Sequence, residues 1–165
     1  MTALFITQKD IKRYSVLSGN VDPDKFLSYV EIAQSIHVES YLGTRLFERL
    51  QNDIINDTLA GDYELLLNKY VKPMTIHWAL VEYLPFAAYT IANNGVYKRS
   101  AENSEVVDKT EVDFLVEKHR NTADNYTRRF VDFVCFNLSK FPEYNENQNE
   151  DLYPRKDSNF GGWEI

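Results

Sequence analysis

The sequence predicts an all-α helical bundle that carries a small β-hairpin or projecting loop and an extended C-terminal tail. Three observations lead there. Gly and Pro number only 6 and 5 in 165 residues, about 7% against a usual share of roughly 12%, too little turn material for a many-turned β fold. Apolar residues recur at spacings of three and four over most of the first 140 residues, the period of a helix with one buried face. The single Cys135 excludes an intrachain disulfide framework, and a chain of this length buries about 70% of its unfolded surface, so a hydrophobic core is enough to hold it. One domain is expected over residues 1–140, with residues 141–165 as the tail.

The elements follow in order. Thr7 followed by Asp10 approximates a capping box ahead of Ile11, Tyr14 and Val16, which predicts a short first helix. After the loop Ser18-Gly19-Asn20, Asp22 is placed to cap a helix with Pro23 at its first position. Phe26, Val30, Ala33, His37 and Tyr41 then trace an amphipathic stripe that Gly43 closes or bends, and Leu46, Phe47, Leu50 and Ile54 continue it to about Asn56. The spacing allows one kinked helix or a helix pair. Asp62 in Ala60-Gly61-Asp62 is a plausible cap for a long apolar stretch through Leu65, Tyr70, Met74, His77, Leu80 and Leu84. Pro73 and Pro85 interrupt it, so kinks or breaks are expected near both, followed by a last helical stretch through Phe86, Ala87, Tyr89, Ile91 and Ala92. Asn93-Asn94-Gly95 supplies the cap, and Val96-Tyr97-Lys98 and Val106-Val107 are short β-prone pieces. Asp108 or Thr110 starts a final long helix, in which Phe114, Leu115, Tyr126, Phe130, Phe133, Val134 and Leu138 keep the helical period.

Charge and composition exclude several classes of function. The formal charge of -7 has the wrong sign for coating a nucleic-acid backbone. The 11 Tyr, 10 Phe and 2 Trp fall mostly on helical stripes and are interleaved with too few Arg and Lys for a base-stacking surface, so core packing accounts for them. No apolar run approaches the roughly 20 residues of a membrane span, and residues 1–6 lack the basic region of a signal peptide. A soluble protein that folds in a reducing compartment, with no membrane partner, is expected.

No catalytic or metal constellation stands out. A di-metal bundle site needs Glu three residues before His, and those positions hold Gln34, Met74 and Val116 ahead of His37, His77 and His119. No two histidines are four apart, so the zincin pattern is absent as well. All three are read as core-edge or surface residues. Cys135, within Phe133-Val134-Cys135-Phe136, is read as a small buried hydrophobe rather than a nucleophile. No phosphate-cradling glycine loop is present. The expectation is a protein without catalysis, metal or cofactor.

The C-terminal segment carries the clearest functional signal. After Lys140 the periodicity stops, and a polar spacer at residues 145–150 leads to Leu152, Tyr153, Pro154, Phe160, Gly161, Gly162, Trp163 and Ile165. Large aromatic side chains on an irregular segment are enriched as interface anchors, so this tail reads as a docking peptide; the alternative is that it folds back onto its own domain.

Ile6-Thr7-Gln8-Lys9-Asp10, Tyr41-Leu42-Gly43-Thr44-Arg45-Leu46-Phe47, the stretch Trp78-Ala79-Leu80-Val81-Glu82-Tyr83-Leu84-Pro85-Phe86, Asn93-Asn94-Gly95-Val96 ahead of Glu102-Asn103-Ser104, and the Gly161-Gly162-Trp163 tail together resemble head-to-tail connector, or adaptor, proteins of tailed bacteriophages. The likeness is closest to those of phages of gut Bacteroidetes, including the crAss-like group. The resemblance implies a helical subunit made in the host cytoplasm that assembles as a ring, usually twelvefold, in the neck of the virion. There it contacts the portal protein, neighbouring copies of itself and the next connector or tail protein, and DNA passes through without specific binding. In such adaptors the C-terminal segment reaches the portal or a neighbour. The projection over residues 96–107, with Tyr97, Lys98, Arg99, Asn103 and Ser104, is then a contact for the next ring or the tail. A cytoplasmic helical interaction module, binding some other partner through the same aromatic tail, is the alternative.

Overall fold

Thr7 and Asp10 cap each other at the start of α1 (Gln8–Tyr14): the Asp10 amide donates to Thr7 Oγ1 at 3.3 Å and the Thr7 amide to Asp10 Oδ2 at 2.9 Å. The computed structural model describes residues 3–15, 23–87, 89–92, 95–98 and 108–157, and among them the architecture is all-α apart from one short strand pair. α2 (Pro23–Ala33) passes through a π turn at Gln34–Val38 into α3 (Glu39–Leu42). The buried Gln34 at that turn ties down the N-terminal segment: its Oε1 accepts from the Phe5 amide at 2.6 Å and its Nε2 donates to the Ala3 carbonyl at 3.1 Å. A polar side chain with both ends of its amide bonded is tolerated in a core that would otherwise reject it.

Gly43 ends α3 with φ 75° and ψ 154°, a region of backbone space essentially reserved for glycine. α4 (Thr44–Ile55) therefore leaves as a separate helix, which resolves the kink-or-pair alternative in favour of the pair. The next helix, α5 (Gly61–Leu66), is capped by the extended backbone of Ala60, and Asp62 sits inside its first turn rather than at the cap. A second π turn, Leu67–Val71, joins α5 to α6 (Lys72–Tyr83). Pro73 falls at the second position of α6, directly after that turn. The helical backbone continues past it without a break, because the change of hydrogen-bond pattern there absorbs the missing donor.

Pro85 does end the helix, in a 3-10 turn at Leu84–Phe86. The helical stretch expected beyond it is instead a strand, β1 (Tyr89–Ala92), paired antiparallel with β2 (Gly95–Lys98) in the register Tyr89 to Lys98 and Ala92 to Gly95. Tyr, Thr and Ile in succession favour the pleated backbone once the proline has broken the helix. Gly95 thus lies in a strand and caps no helix, while Asn93, Asn94 and Val106-Val107 lie outside the described residues.

α7 (Lys109–Phe136) starts at Asp108, whose side chain accepts from the Glu111 amide while Glu111 accepts from the Asp108 amide, a complete capping box. It runs antiparallel to α6: Tyr70, just ahead of α6, stacks on Phe133 at 4.4 Å, and His77 lies against His119. α6 is the centre of the fold, packed against α1, α2 and α7 and buried at Met74, Thr75, Ile76, Trp78, Ala79, Leu80 and Val81. Cys135, expected in the core, is exposed. The inward face of α7 runs through Thr127, Phe130, Val131 and Val134, and the next residue along the helix is rotated about 100° away from it.

The boundary expected at Lys140 is also displaced. Phe141 and Tyr144, assigned to the tail by composition, are fully buried; Phe141 joins the 3-10 turns Leu138–Lys140 and Pro142–Tyr144, and Tyr144 ends the second. Phe141 meets the Tyr63 ring edge-on at 5.3 Å, and Tyr63 donates its hydroxyl to Glu143 at 2.6 Å. Burying one such ring stabilises by about 1.5 to 3 kcal/mol, so the absence of helical periodicity did not mean the absence of core contacts.

Candidate functional site

Among the described residues nothing covers the first half of α7. No residue from 109 to 122 is buried, and Phe114 and Leu115 are 69% and 42% exposed, forming with Thr110 and Glu111 a shallow groove. In the sequence both keep the helical period, which does not separate a core stripe from an interface. The polar residues interleaved through Lys109 to Thr122 were the signal that the stripe is diluted there. Because α6 and α7 are antiparallel, the first turns of α7 lie level with the end of α6, and the 3-10 turn at Leu84–Phe86 packs on α7.

From that end a ladder of rings leads outward. Phe26, buried, meets Tyr83 edge-on at 5.3 Å; Tyr83 meets Tyr29 at 5.4 Å; Tyr29 stacks on Phe86 at 6.0 Å, and Phe86 is 53% exposed. Tyr89, at the start of β1, is half-exposed beside it in sequence. Rings anchored in the core at one end and open to solvent at the other provide contact area whose orientation is already fixed, which lowers the entropy lost on docking. At the opposite end of α7, Phe136 is almost fully exposed, about 33 Å away by helical rise.

The expected tail divides in two. Residues 145–157 return over the junction of α3 and α4 as a strap. The Thr44 amide donates to the Leu152 carbonyl at 3.1 Å, the Leu152 amide to Thr44 Oγ1 at 2.9 Å, and the Arg155 amide to the Ser40 carbonyl at 2.9 Å. Asp151 accepts from Arg45 Nε and from the Gln148 amide, both at 2.7 Å. These two donors hold its carboxyl below the usual Asp range. A Cβ at Gly43 would stand 2.8 Å from Pro154 Cδ and 3.1 Å from the Leu152 carbonyl oxygen, so the strap passes closer than any other residue there would permit. The side chains of Leu152 and Tyr153 nonetheless point to solvent, at 51% and 61% exposure. Phe160, Gly161, Gly162, Trp163 and Ile165 lie outside the described residues, as do Arg99, Asn103 and Ser104 of the expected projection, whereas Tyr97 and Lys98 belong to β2.

Two polar features lie along the α6–α7 seam. A cleft of about 510 Å³ is lined by His37, Trp78, Glu82, Glu117, Arg120 and Asp124 among others. His37 stacks on Trp78 at 4.1 Å and bonds Glu82 at 2.8 Å, while the indole N–H of Trp78 donates to Thr127 at 3.2 Å. Burial raises the Asp124 carboxyl, with Arg120 and Arg128 opposing. On the same pair of helices, His77 Nδ1 and His119 Nδ1 are 3.2 Å apart. Burial pushes His77 down to about 4, helped by the neighbouring imidazole, and lowers His119 as well. No local pattern signals this meeting, since the two histidines are 42 positions apart. Among the described residues no group of three or more His, Cys, Asp and Glu is placed to hold a metal ion, and no helix is long and apolar enough to cross a membrane.

The fold and its surfaces thus define an all-α domain with an uncovered aromatic end and a strapped C-terminal segment. The chain belongs to a family of unknown function, DUF6712, which it matches over residues 38–152. That span runs from the last residue of the first π turn to the strap residue bonded to Thr44, so the strap lies inside the family's domain as far as Leu152. No curated protein and no solved structure matches the chain.

Proposed function

We propose that the protein is a non-catalytic head-to-tail connector of a tailed bacteriophage, a ring subunit in the virion neck between portal and tail. The observation that carries this is the uncovered end of the bundle, where Phe114, Leu115, Phe86 and Tyr89 offer an apolar surface that no described part of the chain covers. Exposed large aromatics grouped on a rigid end mark a protein contact. Phe136 at the far end of α7 gives a second, unlike surface, and rings close through contacts between unlike surfaces. The net charge of -7 suits a conduit wall that must not retain DNA. The sequence resemblance to phage adaptors supports the partners in this reading: the portal protein, neighbouring copies, and the next connector or tail protein. Phe160, Trp163 and Ile165 act as the portal anchor beyond the strap, and the strand pair β1–β2 with the loop after it faces the next component.

Co-sedimentation with the portal ring encoded in the same genome tests this, with stoichiometry read by electron microscopy. A chain ending at Asp157 is the informative truncation, because it keeps the strap. A ring on the portal formed by the full chain and lost on that truncation is the expected result. Loss of binding in the Phe160→Ala, Trp163→Ala, Ile165→Ala triple variant, with an unchanged unfolding midpoint, locates the anchor. Failure of the full chain to bind the portal would favour the cytoplasmic interaction module instead.

A further inference from the structure

We propose that His77 and His119 form a two-imidazole site for a divalent transition metal ion of the zinc, nickel or copper class, clamping α6 to α7. Imidazole nitrogens bind such an ion at about 2.0–2.1 Å in a near-tetrahedral shell, which sets neighbouring ligand nitrogens roughly 3.3 Å apart. The two Nδ1 atoms already stand at 3.2 Å. They come from different helices whose packing fixes the separation, so the site is formed before any ion arrives.

The chemistry of the pair suits the same conclusion. Metal ions bind the neutral imidazole, and the half-buried setting of both rings favours that form. In the metal-free pair one Nδ1 donates its proton to the other. An entering ion takes that place and the proton moves to Nε2 of the same ring, so no net proton is released. The Tyr126 ring stacks on His77 at 5.5 Å with a 10° tilt and steadies its plane. Both rings are only partly buried, which leaves solvent to complete the shell. Mg²⁺ and Ca²⁺ are excluded, because they require oxygen ligands.

The test uses the full chain carrying Cys135→Ser, which removes the exposed thiol as a competing ligand. Zinc titration by calorimetry should give one ion per chain. At a hundredfold excess over its dissociation constant, zinc should raise the unfolding midpoint on the order of 5 °C, and magnesium should leave it unchanged. His119→Gln and His77→Gln should each weaken binding at least tenfold, while His37→Gln should not. As a readout independent of variant folding, Cu²⁺ bound to the unmutated histidines should show two imidazole nitrogens by electron paramagnetic resonance. No binding at millimolar zinc, binding undiminished in either seam variant, or a one-nitrogen copper signal would each overturn the proposal.

Discussion

The two halves of α7 share one continuous backbone and differ in what covers them. From Ala123 onward the helix buries Ala123, Thr127, Phe130, Val131 and Val134. Its inner face is covered again by the returning chain, with Phe130 against Tyr144 and Phe133 against Phe141. From Lys109 to Thr122 nothing is buried, and the largest apolar side chains face outward. One helix therefore does two jobs in sequence: its second half closes the core, and its first half presents a surface. Helical period alone does not separate these jobs, because a stripe that meets a partner has the same spacing as one that meets the core.

The widest separation between the halves should come from matched phenylalanines. Phe130→Ala leaves a cavity in the core and should lower stability by about 3 to 5 kcal/mol, read by denaturant unfolding. Phe114→Ala should leave stability within about 0.5 kcal/mol while abolishing ring formation on the portal. Equal destabilisation by the two would end the distinction.

Gly43→Ala attacks the strap over the α3–α4 junction, into which the chain that covers the buried half continues. The residue must hold a backbone conformation reserved for glycine and would meet Pro154, so a loss of about 1 to 3 kcal/mol is expected, with faster proteolysis near Leu152. A loss of similar size belongs to Thr127→Val, which removes the acceptor of the buried Trp78 indole and should destabilise by about 1 to 3 kcal/mol. Trp78 fluorescence should shift with it. The smallest concerns acid. Asp151 has a folded pKa below its ordinary value of 3.8, so its tie to Arg45 and Gln148 is fully present above that value and is lost as the pH falls through the folded pKa. The protection factors of the Leu152 and Arg155 amides should fall as the pH drops below that folded pKa, while the amides of Phe130 and Val131 stay protected.

Much of the helical layout was legible because caps and periodicity are local: Thr7 with Asp10, Pro23 at a helix start, and Asp108 ahead of α7 each announce themselves within four residues. The strand Tyr89–Ala92 was misread because its apolar residues continue a helical stripe across Pro85, and only pairing with Gly95–Lys98 decides between the two conformations. Phe141 and Tyr144 were misassigned because a 3-10 turn delivers side chains to a core without leaving a period in the sequence. Of the candidate site, the exposure of Leu152 and Tyr153 followed from their irregular spacing. The strap's backbone ties to Ser40 and Thr44 did not, being bonds between positions more than a hundred residues apart.

The two π turns shift the phase of the helices that contain them. Ala33 and Val38 are both fully buried, as are Leu66 and Val71, and each pair is five residues apart, the stride of a π turn rather than of an α turn. Deleting a single residue from either turn would leave a helix of nearly the same length and propensity, yet would rotate everything downstream by about 100°. At the second turn that rotation would swing Met74 and Trp78 away from the centre of the bundle. Insertions and deletions of one residue are therefore not neutral length changes at these two places: each exchanges one face of the molecule's central helices for another.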